Sequence, residues 1–321
     1  MCTAIYDNIG RALLGRTLDY ECSFGEMVVV TPRQFELTFK HKDTIKEHLA
    51  IIGMAHISNN TPLYYDAMNE AGVCIVALNF PKYASYITKP HRGDLLTSYE
   101  VIPYLLSQAT SARRARELIE GASITSESFS AELSPTPLHW MVSDKEDCFV
   151  IEQTQFGLFV YENRVGVLTN SPDFPFQMTN LSQYASLSSK TKENTLCKDV
   201  TLEDFSRGMG AFGLPGDFSS TSRFVRAVFA RHSSLPFEND ISRFFHIMDT
   251  VSVPYGAVIC ENGKPAYTIY TSLMDTEGLV YYFHTHKNRS IRAVKLKNAN
   301  LDGTIPSAYS IAQEEHIFFN N

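Results

Sequence analysis

No stretch of this 321-residue chain is apolar enough, for long enough, to span a bilayer. Runs such as Leu49-Ala50-Ile51-Ile52 followed by Gly53-Met54-Ala55 fall far short of the roughly 20 residues that a spanning helix needs. The start of the chain lacks a charged segment followed by an apolar core, so no secretory route is expected and the cytoplasm is the expected compartment. The sequons at Asn59, Asn180 and Asn288 are accordingly expected to stay unmodified. Low-complexity tracts, internal repeats and Pro/Gly/Ser-rich linkers are also missing, which predicts one domain over residues 1–321. Positive charge is in deficit. A formal net charge of −7 argues against nucleic acid or an anionic membrane as partner, and an anionic substrate would need arginines placed locally. The six cysteines, at 2, 22, 74, 148, 197 and 260, include no C-x-x-C pair and have no histidine nearby at zinc-ligand spacing. They read as free thiols, with neither metal nor cofactor expected.

Against these absences, one cysteine stands out by position. Cys2 follows the initiator methionine, and a side chain that small permits removal of Met1, so the mature chain is expected to start at Cys2. An N-terminal cysteine unites a thiol of ordinary pKa about 8.5 with an α-amine of about 7.7–8.0, a nucleophile and a proton acceptor in one residue. Position alone does not separate a catalytic from an incidental cysteine. Further along, Ala12-Leu13-Leu14 reads as a strand entering Gly15-Arg16-Thr17-Leu18-Asp19-Tyr20-Glu21. A hairpin of 3–7 with 12–18 would return Arg16 and Asp19 to the chain start. There a cation favours thiolate and a carboxylate holds an ammonium or the thiol proton.

Strands are predicted at 26–31, 49–55, 63–68 and 73–79, the last two forming a hairpin through Asn69-Glu70-Ala71-Gly72. Thr97-Ser98-Tyr99-Glu100 is a capping-box pattern before a helix that Pro103 should kink, and a second helix runs from about Ser111 to Gly121. Strands return at 138–143, 147–153, 156–161 and 165–169. Helices follow at about 221–232 and 239–249, then a hairpin of 266–272 with 278–284. The alternation predicts sheets covered by helical layers, an α+β class.

Three patterns are set aside. Gly208-Met209-Gly210-Ala211-Phe212-Gly213 matches the dinucleotide fingerprint by letter, but a polar segment precedes it and Leu214-Pro215-Gly216 stops any helix from opening, so it reads as a loop. His284 and His286 share a strand face without a third ligand nearby. None of the ten histidines sits in a catalytic motif, and His139, beside the sole tryptophan Trp140, reads as a packed core histidine. Asn79 precedes Phe80-Pro81 and Asn170 precedes Ser171-Pro172, each where a strand runs out at a sheet edge. From the residues alone, either a turn asparagine or an amide donor at a site fits. Arg223 falls at a helix start, where a cation is mildly unfavourable to the helix dipole and wants a reason.

The segments MCTAIYDN, GRTLDYE, GEMVVVTPR, YYDAMNEAGVCIVALNFP, GVLTNSPDFPFQ, SRGMGAFGLPGDFSSTSRFVRA and YTIYTSLMD, in that order over nearly the whole chain, resemble the choloylglycine hydrolase family. These are N-terminal-nucleophile amidases that include bile salt hydrolases and penicillin V acylases. The resemblance implies a four-layer αββα sandwich with antiparallel sheets and a homotetramer. It implies catalytic roles for Cys2, Arg16, Asp19, Asn79, Asn170 and Arg223, with the two asparagines holding the oxyanion. Asn79 within LNFP is similar to bile salt hydrolases, where penicillin V acylases tend to carry tyrosine, so glycine- or taurine-conjugated bile salts are the expected substrates. Tyr20, Phe24, Tyr65 and Leu133 are candidate pocket residues for the steroid. A penicillin V acylase or another N-acyl amidase is the alternative, and, outside enzymes of this mechanism, a silent binder of amphipathic anions or a thiol redox protein.

Overall fold

The computed structural model covers residues 1–321 and describes all of them except 89–92, 313 and 316. Most of the described strands fall into two antiparallel sheets. In the first the strand order is Val167–Leu168, Cys2–Asp7, Leu13–Tyr20, Pro265–Asp275, Val280–Thr285, Asn288–Lys295, with Val258–Ile259 paired to the start of Pro265–Asp275. The second runs Gly157–Glu162, Cys148–Thr154, Leu138–Ser143, Cys74–Asn79, Thr61–Asn69, Ile51–Ser58, Met27–Thr31, Ser307–Ser310. Leu95–Thr97 and Ser123–Thr125 make a short parallel pair.

The sheets face each other through Cys2–Asp7 and Leu13–Tyr20 on one side and Cys74–Asn79 on the other. Helices Val101–Gln108 and Ala112–Ile119 cover the outer face of the second sheet, and Ser220–Ser233 and Asp240–Asp249 cover that of the first. This is the expected αββα order. Strands buried on both faces read as unbroken apolar runs, and the alternation sorts them. Val28 and Val30 join the inter-sheet core, while Val29 between them joins the core beneath the first two helices. Cys74, Val76 and Leu78 divide from Ile75 and Ala77 in the same way. Each valine, leucine or isoleucine among them, fully buried, contributes about 1.5–3 kcal/mol.

The predicted hairpin is present as Thr61–Asn69 and Cys74–Asn79. Its turn is held by Asn69 Oδ1, which accepts the amides of Ala71 and Val73. Gly72 adopts φ +81°, and a Cβ there would lie 2.5 Å from the Thr276 carbonyl. The capping box before the first helix closes on one side: the Glu100 carboxylate accepts the Thr97 amide at 2.9 Å. Pro103 departs from expectation. It occupies the first turn of Val101–Gln108, where its missing N–H has no partner to lose, and the helix runs on through it to Gln108. The asparagine strands also sit differently from the expected sheet edge, because Cys74–Asn79 lies in the middle of its sheet, flanked by Thr61–Asn69 and Leu138–Ser143. Only Val167–Leu168, the strand before Asn170, is an edge.

Candidate active site

The first hairpin builds the centre of the site by register. Cys2 pairs with Leu18, Thr3 with Thr17 and Ala4 with Arg16, so the side chains of Cys2 and Arg16 share the inter-sheet face and those of Thr3, Thr17 and Asp19 share the helix-covered face. Arg16 donates from one guanidinium nitrogen to Cys2 Sγ at 2.7 Å. Its other terminal nitrogen donates to the Ala77 carbonyl at 3.1 Å and the Tyr65 carbonyl at 3.4 Å. Both residues are buried. Burial works against the arginine's charge, but the facing Cys2, Tyr270 and Asp66 outweigh it and hold the guanidinium proton more tightly than usual.

Behind Arg16 lies a carboxylate that the sequence reading did not single out. Asp66 Oδ2 stands 3.9 Å from the guanidinium, and Asp66 accepts hydroxyls from Tyr270, Tyr281 and Ser272 at 2.7, 2.5 and 3.1 Å. Burial pushes its carboxyl up, and Arg16 with those three donors pulls it part of the way back. Arg16 is thus fixed at both ends. Gly15 beside it is required by close approach, since a Cβ there would meet the Ser272 carbonyl at 2.2 Å and the Phe244 ring at 2.7 Å.

The nitrogen end of Cys2 is held separately. Its backbone N–H donates to Asn170 Oδ1 at 2.8 Å, and the Asn170 amide donates to the Asn79 carbonyl at 2.7 Å. Arg223 emerges from the first turn of Ser220–Ser233 and is fully buried. It donates to the Cys2 carbonyl at 2.5 Å, to Thr3 Oγ1 at 2.5 Å and to Asn170 Oδ1 at 2.7 Å. Those contacts supply the reason its position lacked. Asn170 therefore spends its carbonyl oxygen and one N–H on the nitrogen end of Cys2 and on Asn79, which departs from a role confined to holding an oxyanion. Asn79 itself lines the cavity in front of Cys2, with its side-chain Oδ1, an acceptor as placed, buried and unpartnered among the described residues. The two ends of an amide exchange by rotation, so a donor can be presented there.

Asp19 reaches the chain start by its backbone. The Met1 ammonium donates to the Asp19 carbonyl at 2.6 Å, while the Asp19 carboxylate accepts Thr17 Oγ1 at 3.0 Å and Thr268 Oγ1 at 2.6 Å. Neither threonine was identified from sequence. With Met1 in place the Cys2 nitrogen is a peptide amide and has no lone pair to offer as base.

A cavity of about 240 Å³ opens in front of the thiol. Tyr20, Phe24, Tyr65 and Leu133, the four candidate pocket residues, all line it. Tyr20 and Phe24 sit with ring centroids 5.2 Å apart on one wall, and His56 faces the Tyr65 hydroxyl at 3.3 Å on another. Burial lowers the His56 pKa, which keeps that ring neutral and the wall uncharged near pH 7. The surface suits an apolar acyl group ending at Cys2.

The model of the "Linear amide C-N hydrolases, choloylglycine hydrolase family" matches residues 2–309. A "Bile salt hydrolase/transferase" of Lactiplantibacillus plantarum is 43% identical over 100% of this chain and 100% of its own. One of the same name from Clostridium perfringens is 35% identical over 96% of each. Among solved structures, the C2A mutant of the conjugated bile acid hydrolase from Clostridium perfringens superposes with a TM-score of 0.93 at 34% identity, covering 100% of both chains. The penicillin V acylase of Agrobacterium tumefaciens shares the fold, with a TM-score of 0.77 at 20% identity over 98% of this chain and 94% of its own.

Proposed function

Because the chain belongs to the choloylglycine hydrolase family of linear amide C–N hydrolases, we propose that it cleaves glycine- or taurine-conjugated bile salts to free bile acid and amine. The observation that carries this is the Cys2 thiol, 2.7 Å from a buried guanidinium at the floor of a cavity lined by Tyr20, Phe24, Tyr65 and Leu133. Removal of Met1 frees the Cys2 amine, which takes the thiol proton directly or through water. The thiolate, stabilised by Arg16, attacks the amide carbonyl. The Asn79 amide donates to the oxyanion, and Asn170 and Arg223 keep the Cys2 backbone in place. The Asp19 carboxylate, held by Thr17 and Thr268, balances the charge around the freed amine. Collapse expels glycine or taurine and leaves a thioester on Cys2, and water activated by the same amine hydrolyses it.

Residues 1–321 read as one N-terminal-nucleophile hydrolase domain whose mature form starts at Cys2. Among the described residues no helix is long and apolar enough to cross a membrane. We place the chain in the cytoplasm and read it as a homotetramer. In support, all six cysteines are free, and Leu196, Phe205 and Phe212 expose apolar side chains for another copy. Light scattering on the purified chain tests the assembly.

The substrate assignment is tested by intact-mass analysis of the purified chain together with amine release from glycocholate, taurocholate and penicillin V. A mass starting at Cys2 with bile salt cleavage, absent in Cys2→Ala, is the expected result. Cleavage of penicillin V with no release from either bile salt removes the substrate assignment and leaves the amidase chemistry standing.

A further inference from the structure

His139 fills no role in the chemistry above, yet it touches the supports of both asparagines. It pairs with Leu78 in the second sheet, and Leu138 pairs with Asn79. Its ring stacks on Phe80, the residue after Asn79, with centroids 4.2 Å apart and planes 8° from parallel. Nε2 lies 2.8 Å from the carbonyl oxygen of Thr169, the residue before Asn170, and Nδ1 lies 2.9 Å from Glu152 Oε1. His139, Glu152, Phe80 and Thr169 are all fully buried.

The hydrogen positions follow from the partners. Thr169 offers only a carbonyl at Nε2, so a lone pair there would face another lone pair, and Nε2 must carry hydrogen. At Nδ1 the partner is a carboxyl group. Either the ring is an imidazolium against carboxylate, or Glu152 carries the hydrogen and donates it to Nδ1. Both cases leave Nε2–H donating to Thr169. Glu152 meanwhile accepts the Phe174 amide at 3.2 and 3.1 Å on its two oxygens, which ties the helix after Asn170 to the same pair. From the other side, Ser220 Oγ accepts the Asn170 amide and donates to Thr169 Oγ1, both at 2.9 Å.

We propose that His139 is a positioning residue for catalysis: its Nε2–H sets the Thr169–Asn170 backbone while its ring sets Phe80, so that one side chain fixes the spacing between Asn79 and Asn170. Asn170 in turn holds the Cys2 nitrogen. A packed core histidine with no such role would need only its volume. The inference rests on Cys2 being the nucleophile with these asparagines around it.

Two substitutions separate the readings. His139→Gln places an amide N–H near the Nε2 position, whereas His139→Asn reaches only the Nδ1 position, and both lose the ring stack. His139→Asn is expected to lower kcat about 100-fold with KM changed less than about 2-fold, the scale of a misplacement near 1 Å. His139→Gln should stay within about 10-fold of the parent. The rate of Cys2 alkylation by iodoacetamide at pH 7, followed by peptide mass, should fall in His139→Asn and recover in His139→Gln. That readout needs no substrate, so it judges the inference even where the bile salt assignment fails. Equal losses in the two folded variants, or a change in KM alone, overturn it. Should His139→Asn fail to fold, Glu152→Gln decides: it leaves Nε2–H in place and is expected to keep kcat, and a loss of about 100-fold in the folded protein overturns the proposal.

Discussion

Arg16 and Cys2 lie on adjacent antiparallel strands, offset by two pairs in register and so on one face, and the guanidinium meets the sulfur at 2.7 Å while its far side rests near Asp66. The cation is placed by the sheet. It does not depend on a flexible loop, and it is present before substrate arrives.

Replacing Arg16 with leucine removes the charge beside the thiol and leaves Asp66 without its cation. Turnover should fall about 100- to 1,000-fold, the scale seen when one electrostatic donor is lost. Alkylation of Cys2 at pH 7 should slow in parallel. Unchanged alkylation in a folded variant would show that the guanidinium does not act on the sulfur.

Retention of Met1 should silence the enzyme although the thiol, Arg16 and the cavity all remain. An acylated nitrogen has no lone pair for the proton, and in this geometry the Cys2 N–H already donates to Asn170. Intact mass and turnover are measured on the same preparation. Full activity in a chain that keeps Met1 would mean that some other group is the base.

Asn79→Tyr should shift selectivity from conjugated bile salts toward penicillin V and reduce kcat for both, because the substitution removes an amide donor at the mouth of the site. The measurement is kcat/KM for glycocholate and penicillin V in parent and variant. An unmoved ratio would make Asn79 a structural turn residue.

Gly15→Ala adds a methyl group where the Ser272 carbonyl would lie 2.2 Å away. Overpacking of this kind costs about 1–3 kcal/mol or more, here at the strand that carries Arg16. A lowered midpoint in urea is expected, with kcat reduced in the fraction that remains folded. A midpoint equal to that of the parent would contradict the close approach.

The hairpin and its cargo were legible because a period of two residues and a short separation in sequence settle which side chains share a face. Arg16 and Cys2 are 14 residues apart. Strand ends before Pro-containing loops likewise marked Asn79 and Asn170, although not which strand was interior. Asp66, Thr268 and the His139–Glu152 pair were not legible, since each is an ordinary polar residue within a strand. The partners of Asp66 and Thr268 come from distant segments: Tyr270 and Tyr281 reach Asp66 across 204 and 215 residues, and Thr268 reaches Asp19 across 249, while His139 and Glu152, only 13 apart, carry no motif that marks them. Pro103 misled for a different reason. The effect of proline depends on where the helix begins, and a one-turn error in that boundary turns a kink into a tolerated first turn.

Arg223 closes over the Cys2 carbonyl from 221 residues downstream. At about 5–20 residues per second of synthesis, roughly 10–45 s pass before the ribosome has made the residue that completes this enclosure. Until then the chain end is free of Arg223, and for most of that interval of Asn170 as well, so an enzyme removing Met1 would meet it unshielded. Once folding is finished, Met1 is drawn to the Asp19 carbonyl and Cys2 is buried. The fraction of chains that lose Met1 before Arg223 arrives would therefore set the yield of active enzyme independently of how well the chain folds.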